Sequence, residues 1–502
     1  MFYYYPPVAE SNEAASVDQE SIQSHGVASV GLMESAGSKT ADFLLSRTEP
    51  GDFCAFVCGK GNNGGDALVA ARQLHAADRE IGILMIMGDQ NLSEDSAANY
   101  NSLRKIASES DGIRFYKNMD ELFPQPINWW VDGIFGTGLN SAVREPVATC
   151  IQEINNHPAP VLALDIPSGL DGTTGSVLRF SIKAKATIMY GMAKLGAYIE
   201  DGPYYCGERI TVNLGFSGPA MQKINRFLFD EDHHPDNLKN PAFRHKYQAG
   251  IVYILAGSEG MTGAAVMAAK AAWSLGAGGV VVFTPAGLMP VFEHHLPETV
   301  KIPVGQPSDK WFMPAHAEQL DDHLSNKHPS VILCGPGSGK REETRQFFRK
   351  VLEQHAGKMV IDADAIHTLT DSTLTRPDSQ NLIITPHTGE FDKLSGKSPD
   401  TFYERLNSAE QLANDLNITT LLKGQPSTVT NGKQTWITSY PTHDFSRFGF
   451  GDVLSGFLAA AYLHTTPEQA CLSAMLAGIH RLRTFQKQHP NRIAQPFDLI
   501  SS

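Results

Sequence analysis

Residues able to do chemistry gather at a few glycine-rich junctions. The first is Cys58-Gly59-Lys60-Gly61-Asn62-Asn63-Gly64-Gly65-Asp66, entered by an apolar run at 53–57 and left by a helical pattern at 67–74. Strand, glycine-rich turn and helix together aim backbone N–H groups at an anion. Glycines in such a turn permit close backbone approach and positive φ. Asn62 and Asn63 add carbonyls suited to a cation and amides suited to phosphate oxygens. The spacing matches neither G-x-x-x-x-G-K-[ST] nor a clean G-x-G-x-x-G. Two more apolar runs end in polar groups. Residues 128–131 lead into Asp132-Gly133-Ile134-Phe135-Gly136-Thr137-Gly138, and residues 160–164 into Asp165-Ile166-Pro167-Ser168-Gly169. A single Asp at a strand end is often a turn former. Three converging strand ends predict a ligand site at the carboxyl edge of a parallel sheet.

A second centre is Phe448-Gly449-Phe450-Gly451-Asp452, which opens a long apolar helix. Free N–H groups of a first helical turn make an anion hole. Asp452 there is placed either to cap the helix or to act as a base on a hydroxyl facing a nucleotide phosphate. Upstream apolar runs end in Gly335-Pro336-Gly337, Asp362-Ala363-Asp364, Thr385-Pro386-His387 and Lys423-Gly424-Gln425-Pro426-Ser427. Again the chemistry falls along one sheet edge.

The elements that must hold these groups alternate between strand and helix, so the fold class is α/β with two parallel-sheet domains. A chain of 502 residues exceeds one ordinary domain. The sequence divides into a first domain at 1–222, a polar, proline-dotted linker at 223–242 and a second domain at 243–502. Helices are expected at 14–24 and over the stretch containing Glu34, a candidate site carboxylate or a solvated one. The segment between 284 and 329 gives no clear pattern. A net charge of −13 without basic runs argues against a nucleic-acid partner. Six scattered cysteines read as reduced, buried thiols. No apolar run is long enough to cross a membrane, and the first residues lack a basic, apolar leader. A soluble cytoplasmic protein is expected, with no membrane partner.

The first-half motifs, with Leu32-Met33-Glu34-x-Ala36-Gly37 ahead of them, resemble the NAD(P)H-hydrate epimerase domain over about residues 10–220. The resemblance implies a Rossmann-like domain that interconverts the C6 epimers of hydrated NADH and NADPH. It implies substrate phosphates on Asn62, Asn63, Gly64, Gly65 and Asp66, and on Gly136, Thr137, Gly138, Leu139, Asn140, Ser141 and Ala142. It implies K+ held by Asn63, Asp132 and Ser168, and Asp165 as the catalytic group beside the reacting ring. Oxygen ligands suit a hard cation, and a carboxylate suits proton transfer or stabilisation of a cationic intermediate. Ala67 and Ser35 depart from the family pattern.

The second half, over about residues 241–485, is similar to the ribokinase-like ADP-dependent NAD(P)H-hydrate dehydratases. Its matching pieces include His245-Lys246, Thr262-Gly263-Ala264 and Gly449-x-Gly451-Asp452. The resemblance implies that Ala264, Gly337, His387 and the catalytic Asp452 touch the hydrated nicotinamide nucleotide. Lys423, Gly424, Gln425, Pro426, Ser427 and Gly451 would hold ADP or ATP with Mg2+. Tyr247, Thr388 and Phe450 depart from the pattern, Phe450 standing where the family has Thr or Ser. A two-step repair enzyme, acting as a homo-oligomer on hydrated NADH or NADPH and an adenine nucleotide, is the leading expectation. A ribokinase-like small-molecule kinase, or an epimerase with a decayed second domain, are the alternatives.

Overall fold

The structure, a computed structural model, describes residues 5–232, 246–320, 323–324, 329–370 and 378–501. The chain forms two compact units, Met1–Leu228 and Phe229–Ser502. The division falls inside the stretch expected as linker. Arg226–Phe229 is a strand with all four residues buried. Most of the expected linker, 233–242, lies outside the described residues, as does His245.

The first unit is built on a seven-stranded parallel sheet. Its strands are β1 (Phe53–Cys58), β2 (Glu80–Met85), β3 (Ile113–Tyr116), β4 (Ile127–Gly133), β5 (Val161–Leu164), β6 (Ala186–Tyr190) and β7 (Glu208–Val212). The order is β3-β2-β1-β4-β5-β6-β7. Every residue of β1 is buried, as its uninterrupted apolar run predicts for a strand covered on both faces. Strand order reverses between β1 and β4, and the loops leaving their carboxyl ends diverge to open a crevice. A short parallel pairing ties Val8 and Ala9 to Ala193 and Lys194.

The helix after β1 starts earlier than the apolar pattern suggests, at Asn62, with Gly61 as its N-cap. Gly64 and Gly65 therefore lie inside its first turns, and none of Gly59, Gly61, Gly64 and Gly65 has positive φ. Close packing is what demands glycine. A Cβ on Gly59 would sit 1.9 Å from the Ile134 carbonyl oxygen, and one on Gly64 would sit 2.2 Å from that of Gly59. Ala67, a departure from the family pattern, packs against the bare Cα of Gly133, which leaves room for the extra methyl.

In the second unit the strands are β8 (Ile251–Leu255), β9 (Gly279–Pro285), β10 (Val300–Val304), β11 (Ser330–Cys334), β12 (Met359–Ile361), β13 (Leu382–Ile384), β14 (Thr419–Leu422), β15 (Thr428–Thr430) and β16 (Thr435–Thr438). They lie in the order β16-β15-β14-β13-β12-β11-β8-β9-β10. From β14 to β10 the pairing is parallel, but β15 and β16 are antiparallel. The turn Asn431-Gly432-Lys433-Gln434 reverses the chain there, with Asn431 Oδ1 accepting from the Lys433 and Gln434 amides. The edge strand β10 lies in the segment without a clear sequence pattern. Lys301 and Pro303 break its alternation, and an edge position is where a proline is tolerated. All six cysteines are free and buried.

Candidate active sites

In the first unit a cavity of about 640 Å³ opens over the carboxyl ends of β1, β4, β5 and β6. Asn62, Asn63, Asp66, Gly136, Thr137, Gly138, Leu139, Asn140 and Asp165 all line it. Gly64, Gly65, Ser141 and Ala142 do not, Gly64 and Gly65 being consumed in helix packing. The groups are close. A Cβ on Gly136 would lie 3.1 Å from Asp165 Oδ2 and 3.6 Å from Asn63 Cβ. Asp165 has φ +65°, a left-handed conformation that turns its side chain out of the strand direction. The Thr137 amide donates to its Oδ2 at 3.3 Å.

Asp132 and Ser168 form one buried knot. The Ser168 hydroxyl donates to Asp132 Oδ1 at 2.6 Å, and its amide donates to Oδ2 at 2.8 Å. Burial pushes the Asp132 carboxyl up to about 6, against those hydrogen bonds. Asn63 is buried, and both its Oδ1 and its Nδ2 lack a protein partner. A buried amide with neither end satisfied is costly unless something else completes it.

Three residues at this cavity carry no motif. Lys194 contacts Asp165, Asp18 comes from the helix Ser11–Gln23, and Tyr190 shares a 2.7 Å hydrogen bond with Thr40. Burial raises the pKa of Asp66 and Asp18, and the Asp165 carboxylate adds to both shifts. The sequence signal for Lys194 was a lone lysine in an otherwise apolar stretch, Met192-Ala193-Lys194-Leu195, directly after a buried strand. Glu34, by contrast, pairs with Arg72 and does not line the cavity.

A larger cavity of about 930 Å³ lies over the carboxyl edge of the second sheet. Ala264, Gly337, His387, Lys423, Gly424, Gln425, Ser427, Gly451 and Asp452 line it; Pro426 does not. Lys423 Nζ donates to Asp362 Oδ1 at 2.9 Å, and Thr385 Oγ1 donates to the same oxygen at 2.6 Å. A Cβ on Gly451 would lie 3.7 Å from Lys423 Nζ, so the ammonium stands against the first turn of the helix Phe450–Tyr462. That turn has no side-chain cap, and its N-cap Gly449 has φ +90°. Burial first, then the Asp362 charge, push the Asp452 carboxyl up to about 7, while Lys423 pulls it down. Asp362, which the sequence pattern leaves without a role, is the counter-ion that holds Lys423. His387 is also a helix cap, its Nδ1 accepting from the Gly389 and Glu390 amides.

Phe450 does not lie open in the anion turn. Its side chain is 3% exposed, edge-on to Phe445 at 5.9 Å, with the Arg447 guanidinium 5.0 Å from its ring centre. The Phe448 ring is fully exposed instead.

Two α/β units, each with a cavity at the carboxyl edge of a mostly parallel sheet, define a two-site protein of the ligand-binding α/β class. Residues 29–196 match the family described as YjeF-related protein N-terminus, and residues 252–496 match NAD(P)H-hydrate dehydratase. The bifunctional NAD(P)H-hydrate repair enzyme Nnr of Salinibacter ruber is 30% identical over 99% of this chain and 95% of its own length. That of Pyrobaculum aerophilum is 31% identical over 90% of this chain and 89% of its own, and that of Coxiella burnetii 31% over 86% and 85%. Among solved structures, the ADP/ATP-dependent NAD(P)H-hydrate dehydratase of Bacillus subtilis, co-crystallized with ATP/Mg2+, overlaps 52% of this chain and 89% of its own, at 25% identity and a TM-score of 0.44. The chain belongs to the family of bifunctional NAD(P)H-hydrate repair enzymes. Among the described residues, no helix is long and apolar enough to cross a membrane.

Proposed function

We propose that this chain repairs hydrated NADH and NADPH in two steps. The first cavity equilibrates the two C6 epimers, and the second removes the added water at the expense of ADP or ATP. The observation that carries the reading is the presence on one chain of two complete edge sites. One holds a carboxylate in contact with a buried ammonium; the other holds a near-neutral carboxyl beside a helix N-terminus.

In the first site the substrate's phosphates sit against Asn62, Asn63 and the Gly136–Asn140 turn. Asp165 faces the ring. When the C6–O bond breaks, the hydroxyl takes a proton from solvent and leaves as water, and the proton returns to solvent when water adds back. In between, positive charge spreads into the ring through its nitrogen. A fixed carboxylate stabilises that cation. Water returning to either face gives either epimer. K+ fits beside this site on the chemistry of Asn63, Asp132 and Ser168: oxygen donors only, an unsatisfied buried amide and a carboxyl raised by burial. Its charge would keep Asp132 ionised and order the Asn63 loop.

In the second site Asp452 takes the proton of the C6 hydroxyl as its oxygen attacks the terminal phosphorus. The nucleotide leaves one phosphate shorter. Loss of the new phosphate ester with a ring proton restores the double bond. Lys423 and the N–H groups of residues 451 and 452 stabilise the phosphoryl oxygens. Among the described residues, no cluster of three His, Cys, Asp or Glu could hold a metal. Mg2+ would be held chiefly by the phosphates of the nucleotide, which needs no such cluster.

The test supplies the intact protein with both epimers of hydrated NADH. With Mg2+ and ADP, all of it should return to NADH. Recovery that stops at the share of one epimer refutes the first activity, and no nucleotide-dependent recovery refutes the second.

A further inference from the structure

Lys194 belongs to no motif, yet it is the most committed cation in the first unit. Its side chain is 3% exposed. An ammonium has three donors and no acceptor, and three acceptors surround this one. They are Asp165 Oδ1 at 2.6 Å, the Tyr190 carbonyl oxygen at 2.8 Å and the Met192 carbonyl oxygen at 3.2 Å. No donor is left to bind a ligand. Asp165, 14% exposed, keeps its other oxygen on the cavity side, where the Thr137 amide reaches it. The Lys194 backbone is itself pinned, pairing with Ala9 in the amino-terminal strand and donating its amide to Met189 Sδ at 3.4 Å.

A buried lysine is costly unless its charge is matched. The match here is made with Asp165, whose backbone is left-handed just past the end of β5. Asp18 and Asp66 line the same cavity and repel Asp165. Lys194 offsets that repulsion through direct contact.

We propose that Lys194 is the positioning residue of the first site, fixing the orientation of Asp165 while touching no substrate itself. The role rests on the reading of this cavity as the epimerase site. It separates two jobs that one lysine could otherwise share: binding the ligand's phosphates and holding the catalytic carboxylate.

A double-mutant cycle in the full chain tests it. Exchange between the epimers, corrected for the uncatalysed rate, is measured for the wild type, Lys194→Met, Asp165→Asn and the pair combined. Thermal unfolding reports integrity. Misplacing a reacting group by about 1 Å costs on the order of 10²-fold. Lys194→Met should therefore lower kcat by about that factor, with KM within a few-fold. The combined variant should be no slower than Asp165→Asn alone, because Lys194 acts only through Asp165. If the two losses multiply, or if Lys194→Met exchanges at the wild-type rate, the proposal is overturned. Should Lys194→Met fail to fold, Lys194→Gln, which keeps a hydrogen-bond donor without the charge, runs the same cycle. A wild type that does not exchange the epimers overturns the reading of the cavity and this role together, an outcome distinct from any variant effect.

Discussion

The Asp452 carboxyl gives the sharpest quantitative prediction. Its pKa is pushed up to about 7, burial being the main cause and the Asp362 charge the next. A base works only in its unprotonated form, so dehydration must rise with pH through this value. Near pH 6 roughly 10% of the sites carry the ionised carboxylate, and near pH 8 roughly 90%, a rise of about ninefold in kcat/KM, which reports the free enzyme. Nucleotide-dependent recovery of NADH absorbance from the epimer that the second site accepts, taken across that range, reads it directly. Asp452→Asn should lose about 10²–10⁴-fold of the rate and, with it, the pH dependence. Asp362→Asn provides the control on cause. It removes a charge that raises the Asp452 carboxyl and frees Lys423, which lowers it, so the rise should move to lower pH. A kcat/KM that stays flat from pH 6 to pH 8, or an Asp452→Asn variant that keeps the wild-type slope, would show that another group takes the proton.

Asp165→Asn should cost the first activity about 10²–10⁴-fold, while nucleotide-dependent dehydration of the accepted epimer continues; a joint loss would mean the two sites are not independent. Phe450→Thr should leave ADP affinity by calorimetry unchanged, because the anion turn is built from backbone. It should destabilise the second unit by roughly 3–5 kcal/mol, the cost of emptying a buried phenylalanine site, and an unchanged thermal midpoint would refute the packing argument. Gly59→Ala should destabilise the first unit severely, since its Cβ would meet the Ile134 carbonyl oxygen at 1.9 Å. Gly61→Ala should be tolerated, with nothing within 4 Å. Soluble yield and unfolding temperature compare the two.

The sheet edges were legible because parallel strands buried on both faces read as plain apolar runs, and because polar groups cluster where those runs stop. Asp165, Asp132 and Lys423 were found that way. Lys194 was not, since its importance lies in a contact across the cavity that no local pattern records. Of the two reasons for glycine in the first loop, close approach holds for Gly59, Gly64 and Gly65, which pack against residues 134, 59 and 33, while positive φ holds for none of them. Phe450 showed in the sequence only as a departure from the pattern, because spacing gives the position of a backbone N–H but not the direction of a side chain. Strand β10 escaped because an edge strand with a lysine and a proline has no alternation to detect.

The pairing of Val8 and Ala9 with Ala193 and Lys194 has a counterpart in Arg226, whose guanidinium lies 2.8 Å from Glu10. Residues 8–10 thus find their partners near the end of the unit. Such long-range closures are slow to form, because a long loop must be fixed before any contact rewards it. The sheet from β1 to β5 can assemble while the amino-terminal strand still waits. The docked strand holds the backbone that carries the ammonium beside Asp165. An extension or cleavage near Val8 would therefore disturb both the buried packing of Val8 and Ala9 and the backbone that carries the Lys194 ammonium beside Asp165.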